Sequence, residues 1–108
     1  MAVASATLRQ LQALEQLYRQ GYQDDVVDLT LRKLLERQVR QDEAQLAELR
    51  ADLTRFEQRY GLASADFFAS YQAGQMGDDM DVFEWNVLYK MYTRLAGAVD
   101  ILRAQLQE

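Results

Sequence analysis

Four carboxylates lie within seven residues of one another in the second half of the chain: Asp78, Asp79, Asp81 and Glu84. Carboxylate oxygens are the ligands that Mg²⁺ and Ca²⁺ prefer, but this spacing differs from that of a calcium-binding loop. Asp81 followed three residues later by Glu84 instead has the spacing of a capping box at the start of a helix. We therefore predict no metal site. Two interpretations remain: a solvated turn, or an acidic surface presented to a basic partner.

Catalytic groups are scarce. The chain contains no cysteine and no histidine, which excludes a thiol nucleophile, a histidine base and zinc sites built on those residues. Ser5, Ser64 and Ser70 have no histidine to activate them, and no glycine-rich phosphate loop is present. Lys90 is interpreted as a cation at the edge of an apolar patch, with its alkyl stem packed and its charge in water. We predict no catalytic residue, no cofactor and no enzymatic activity.

Aromatic residues are concentrated between positions 56 and 92, which hold nine of the eleven in the chain. The nine are Phe56, Tyr60, Phe67, Phe68, Tyr71, Phe83, Trp85, Tyr89 and Tyr92. The stretch 82–92 is apolar almost all round, so as a helix it must be covered on several sides. A short preceding helix could cover it and complete a small core. Alternatively, part of the patch is a protein-binding surface, since Trp and Tyr dominate interface hot spots.

A basic cluster on the second predicted helix comprises Arg32, Lys33, Arg37 and Arg40. A DNA-reading helix and a solvated helix face are both considered for it, and Asp28 and Glu36 dilute its charge. The net charge is −5, of which residues 61–81 contribute −4 without a single Lys or Arg. Because nucleic acids and anionic membranes favour cationic surfaces, we predict that neither is a partner.

The cytoplasm is the expected compartment. The first residues lack the charged and apolar regions of a signal peptide, and no apolar run approaches the length of about 18 residues that spans a bilayer.

Glycines and capping residues along the chain predict four helices, at about 5–20, 24–60, 65–73 and 82–107. Gly21, Gly61 and Gly74 follow helical patterns in the position of a C-terminal glycine, and Ser64 is a candidate N-cap. The absence of proline permits the long second helix.

Two heptad seams predict how the long helices pack. The first comprises Leu35, Val39, Asp42, Leu46, Leu49, Leu53, Phe56 and Tyr60. The second comprises Trp85, Leu88, Tyr92, Leu95, Val99, Leu102 and Leu106. The heptad stretch 35–60 and the fourth predicted helix, 82–107, are both 26 residues long. This match predicts a coiled-coil-like antiparallel helical hairpin within a single all-α domain, 1–108, in which Tyr60 lies near Trp85. Apolar positions left over on the first two helices predict a homodimer.

The stretch 55–94 carries the running pattern F-E-x-x-Y-G, S-x-x-F, Y-x-x-G, G-D-D-x-D and E-W-x-x-L-Y-x-M-Y. It resembles a segment of many small helical bacterial proteins, notably cyanobacterial ones, that look like the antitoxin halves of toxin–antitoxin gene pairs. The likeness extends upstream to Gly21-Tyr22 and residues 26–35, and so covers most of the chain.

The resemblance implies a partner-binding surface at the positions that match the pattern: Phe68, Tyr71, Asp78, Asp79, Asp81, Glu84, Trp85 and Tyr89. It also implies a cognate partner, a basic toxin or enzyme, that this protein would neutralise without chemistry of its own. The alternative is a stand-alone homodimeric coiled-coil scaffold without a toxin partner. A carboxylate-dependent metalloenzyme is a third hypothesis, and it would require metal to stabilise the fold.

Overall fold

The computed structural model describes residues 2–107, and side chains from Ser5 onward. It is 84% helical, with four helices and no strand among the described residues. They are α1 (Ala2–Arg19), α2 (Asp25–Tyr60), α3 (Ser64–Gln72) and α4 (Met80–Leu106). The predicted all-α class is confirmed, and each helix end lies within three residues of its predicted position.

Glycines end α1, α2 and α3, as predicted. Gly21 has a φ of 98°, and the N–H of the following Tyr22 donates to the carbonyl of Leu17 at 3.0 Å. The same arrangement follows α2 at Gly61 and α3 at Gly74, where φ is also positive. These are Schellman motifs, in which the left-handed glycine lets the chain turn back and satisfy the last carbonyls of the helix. Because glycine has no Cβ, it adopts the positive φ that ends each of these helices, and the three glycines therefore set the helix lengths.

The start of α3 corrects the prediction for Ser64. Ala63 occupies the N-cap position with extended backbone, and Ser64 is the first helical residue. The Ser64 hydroxyl is buried and accepts a hydrogen bond from Trp85, so it is not used for capping.

The start of α4 corrects the predicted capping box. The helix begins at Met80, two residues early, and Asp79 occupies the N-cap position without a side-chain capping bond. Asp81 lies inside the first turn, where Tyr60 and Arg59 engage its carboxylate. The Asp81 side chain therefore contacts α2 and does not form the predicted capping box with Glu84.

The described chain groups into two compact units, residues 1–34 and 35–108. In the first unit the Asp24 side chain caps α2 by accepting from the N–H groups of Val26 and Val27 at 2.8 and 3.2 Å. The Tyr18 hydroxyl, on α1, donates to Asp28 at 2.7 Å. Many apolar side chains of this unit stay exposed: Leu8, Leu11, Leu17, Val26, Leu29, Leu31 and Leu34.

The second unit contains the predicted hairpin, in which α2 and α4 pack against each other. Their seams supply Val39, Leu49, Leu53 and Val99 to the buried interior. Asp42, the polar break in the first seam, is buried and accepts a hydrogen bond from Gln38 at 2.9 Å. The polar position is therefore satisfied within its own helix.

Contacts along the hairpin confirm its antiparallel register. The rings of Tyr60 and Trp85 stack with centroids 5.6 Å apart, as the seams predicted. Arg103, near the end of α4, forms an ion pair with Glu43 on α2. Among residues 2–107, no helix has both the length and the apolar content needed to cross a membrane.

Candidate functional site

Trp85 is the centre of the hairpin tip, and it is completely buried. The ring of Phe67 on α3 stacks on the indole with centroids 3.9 Å apart and planes 7° from parallel. Phe56 on α2 stacks at 5.6 Å, so three helices meet at one side chain. Leu53 and Val82 complete this tip core. The interpretation that the short helix covers the start of α4 is therefore correct for Trp85.

A buried hydrogen-bond chain supports the tip core. The indole Nε1 of Trp85 donates to the Oγ of Ser64 at 2.9 Å, and the Ser64 backbone N–H donates to Glu57 Oε2 at 2.9 Å. Glu57 also pairs with Arg50, whose guanidinium lies 5.7 Å from the ring centroid of Tyr92. The chain links α2, α3 and α4. Its bonds to the Glu57 carboxylate are charge-assisted, and such bonds are stronger than neutral ones.

Glu57 is kept ionised by this arrangement. Its desolvation alone would raise the pKa, but the hydrogen bonds from Ser64 and Arg50 outweigh it and hold the pKa below the ordinary value. A charged Glu57 therefore stabilises the position of Ser64, and through it the orientation of the indole.

Asp81 fastens the outer edge of the tip. Its carboxylate accepts a hydrogen bond from the Tyr60 hydroxyl at 2.8 Å and pairs with Arg59 at 2.9 Å. The hydrogen bond to Asp81 raises the pKa of Tyr60, because it holds the phenolic proton beside a negative charge. Asp81 thus joins the end of α2 to the start of α4 and is not available as a free surface charge.

The remaining acidic residues of the segment form an open surface, which we name the acidic tip surface: Asp78, Asp79 and Glu84. All three are exposed, and none of their side chains forms a hydrogen bond or an ion pair with another described residue. Their chain neighbours Met80 and Phe83 are 79% and 58% exposed. Within residues 2–107, no group of three or more acidic residues is arranged to hold a metal ion. Carboxylates and apolar side chains therefore alternate on one exposed surface.

No family model, curated protein or solved structure matches the chain. The resemblance to antitoxin-like bacterial proteins accordingly stays a prediction.

The structure sorts the eight predicted contact residues into three groups. Asp78, Asp79 and Glu84 are exposed and form the acidic tip surface. Phe68, Tyr71 and Tyr89 are half-buried and pack against the tip core. The ring centroids of Phe68 and Tyr89 are 5.1 Å apart, and those of Tyr71 and Phe67 are 5.9 Å apart.

Trp85 and Asp81 form the third group, and they correct the prediction of direct contact. Trp85 has no exposed surface, and the Asp81 carboxylate is occupied by Tyr60 and Arg59. Both residues hold the surface in place and do not themselves present it.

Sequence reasoning missed an open groove of about 630 Å³ along the other side of α4. Its lining includes Phe83, Val87, Met91, Lys90 and Arg94. The groove also contains buried Asn86, whose Oδ1 has no hydrogen-bond partner among the described residues. The sequence signal for this groove is a second apolar series in α4, with Phe83, Val87 and Met91 at four-residue spacing beside the aromatic seam.

Proposed function

We propose that this protein is a non-enzymatic, antitoxin-like binding module that neutralises a basic cognate toxin or enzyme. The observation that carries the proposal is the acidic tip surface, where the side chains of Asp78 and Asp79 are exposed and form no ion pair with another described residue. Complementary charge supplies partner selection and fast association in an interface, and half-buried aromatic side chains near the tip supply apolar contact area. A cationic active site is the kind of surface that this combination fits.

A rigid scaffold under the surface supports the same proposal. The stack on Trp85 and the hydrogen bond to Ser64 fix the start of α4, while Asp81 ties it to the end of α2. A surface that is already ordered loses less conformational entropy on binding, which increases affinity. The half-buried residues Phe68, Tyr71 and Tyr89 add their accessible surface to the contact.

The module acts in the cytoplasm as a homodimer in this proposal. Exposed apolar side chains in both units, among them Leu29 and Ile101, favour a self-associating protein. The same observation favours a second candidate function, a homodimeric scaffold without a toxin partner. The two candidates differ in whether the acidic tip surface binds a basic protein.

A charge-reversal experiment separates these candidates. We expect D78K/D79K to weaken binding to the purified product of the adjacent gene at least tenfold, measured by titration calorimetry. The melting temperature should fall only slightly, because Asp79 makes no side-chain capping bond and the added charges oppose the dipole of α4 alone. Both aspartates are exposed, so their reversal leaves the tip core intact. The matched control is E48K/D100K, which makes the same change in net charge at exposed positions outside the tip. Equal weakening by both pairs would reduce the effect to net charge, and no weakening by either would contradict the proposal.

A further inference from the structure

The unexplained feature is a continuous exposed stripe along α4, distinct from the seam that faces α2. We name it the outer stripe, and it consists of Met80, Phe83, Val87, Met91, Ala98 and Ile101. At 100° per residue these positions fall within about 60° of one line along the helix. Met80, Phe83 and Ile101 are more than half exposed. An exposed apolar stripe of this length on a helix is typical of an interaction surface.

Two residues of opposite charge lie within the stripe: Glu84 follows Phe83, and Arg94 lies between Met91 and Ala98. Glu84 and Arg94 are both exposed, and neither forms an ion pair with another described residue. If two α4 helices lie antiparallel with residue 89 level in both copies, each Glu84 faces Arg94 of the other copy. The same alignment places Val87 against Met91 and the long side chain of Met80 against the small Ala98.

A parallel alignment lacks this complementarity. In register, it would place Glu84 against Glu84 and Arg94 against Arg94, and like charges in contact oppose association. Of these two alignments, only the antiparallel one pairs opposite charges across the interface. The antiparallel alignment also satisfies the two-fold symmetry that self-association through one surface commonly has.

Asn86 supplies an independent reason for an occupant. It is 5% exposed, lines the groove beside the stripe, and its Oδ1 lacks a hydrogen-bond donor among the described residues. A buried acceptor without a donor destabilises a fold. In the antiparallel alignment residue 92 of the second copy lies level with Asn86, so the cations Lys90 and Arg94 of that copy bracket this position.

We propose that the outer stripe of α4 is the surface on which a second copy of this chain docks, with the two α4 helices antiparallel and their Glu84 and Arg94 side chains paired across the interface. This inference rests on the homodimer in the proposed function and assigns its surface. Each copy then keeps Asp78 and Asp79 of its acidic tip surface for a partner.

The test is a charge-swap series measured by sedimentation equilibrium on the full chain. We expect the wild type to be a dimer at micromolar concentration, and E84R and R94E each to raise its dissociation constant about tenfold, because each reverses two symmetry-related pairs. The double variant E84R/R94E restores opposite charges and is expected to return the constant to near the wild-type value. Circular dichroism at each step reports whether the helices remain intact.

A second pair of variants tests the apolar part of the stripe. Met91 and Leu17 are each 43% exposed, on α4 and α1 respectively. We expect M91E to give monomers and L17E to leave the dimer intact.

Each contrary result has a distinct meaning. A monomeric wild type would overturn the homodimer, and dimers that respond to L17E but not to the α4 variants would overturn the outer stripe as its surface. The double variant dissociating more than either single variant would also overturn the pairing. The proposed function is tested separately, by comparing how tightly D78K/D79K and its control E48K/D100K bind the basic partner.

Discussion

The Trp85 indole on α4 donates a hydrogen bond of 2.9 Å to the hydroxyl of Ser64, the first residue of α3, and both side chains are buried. The bond gives the polar edge of a buried indole its partner, which Trp generally requires. It also joins two helices that meet only at the tip. The position of the acidic tip surface therefore depends on Ser64, an uncharged and buried residue that lies outside that surface.

Removing the hydroxyl should expose that dependence. We expect S64A to lower the free energy of unfolding by about 1–3 kcal/mol in urea titration, because it leaves the indole N–H buried without an acceptor. S70A is the control, since Ser70 lies on the same helix, is half-buried and makes no side-chain hydrogen bond among those described. Equal stability of S64A and S70A would show that the bond contributes nothing.

A double-mutant cycle isolates the bond itself. W85F removes the donor, so adding S64A to W85F is expected to cost less than adding S64A to the wild type. Costs that simply add would contradict a direct interaction between Trp85 and Ser64.

Acid should weaken the tip through Glu57. Its pKa is lowered in the folded state, so its stabilising contribution is complete above the ordinary pKa of 4.5 and is lost as the pH falls through the lowered folded value. We expect the urea midpoint to fall on acidification below pH 4.5, and E57Q, which cannot titrate, to show a shallower fall over that range. The exposed Glu48 provides the control E48Q, which should follow the wild type. Parallel curves for all three proteins would contradict this role of Glu57.

Two glycines should respond to alanine in opposite directions. Gly61 has a φ of 63° at the end of α2, whereas Gly97 lies within α4 without a positive φ. An added Cβ meets no atom within 4 Å at either position, so backbone preference alone decides. We expect G61A to lower the free energy of unfolding by about 1 kcal/mol and G97A to raise it by about 0.5–1 kcal/mol. Thermal unfolding checks both, and a stabilising G61A would contradict the Schellman assignment.

Much of the fold could be predicted because its causes are local. The apolar spacing sets the helix faces, and Gly21, Gly61 and Gly74 end helices wherever a left-handed residue is needed. The two seams predict that Tyr60 lies beside Trp85, as it does in the structure, since matching heptad patterns pack in only a few ways.

The sequence-based predictions are wrong where tertiary contacts compete with local helix-capping contacts. Ser64 and Asp81 both have good capping chemistry, yet the Trp85 indole takes one and Tyr60 with Arg59 takes the other. Nothing in the spacing of these residues shows that their partners lie 21 residues away. Likewise, the resemblance placed Trp85 in the contact surface, but a large aromatic residue in a short chain is also the best available core residue.

The central claim, that the acidic tip surface neutralises a basic partner, is tested most directly by growth rescue. The adjacent gene is expressed alone, with the wild type, with D78K/D79K, or with E48K/D100K, and cell growth is measured together with co-purification. We predict that the adjacent product alone arrests growth, that the wild type and E48K/D100K restore it and co-purify, and that D78K/D79K does neither. The claim is contradicted if the wild type neither restores growth nor co-purifies, or if D78K/D79K performs as well as the wild type.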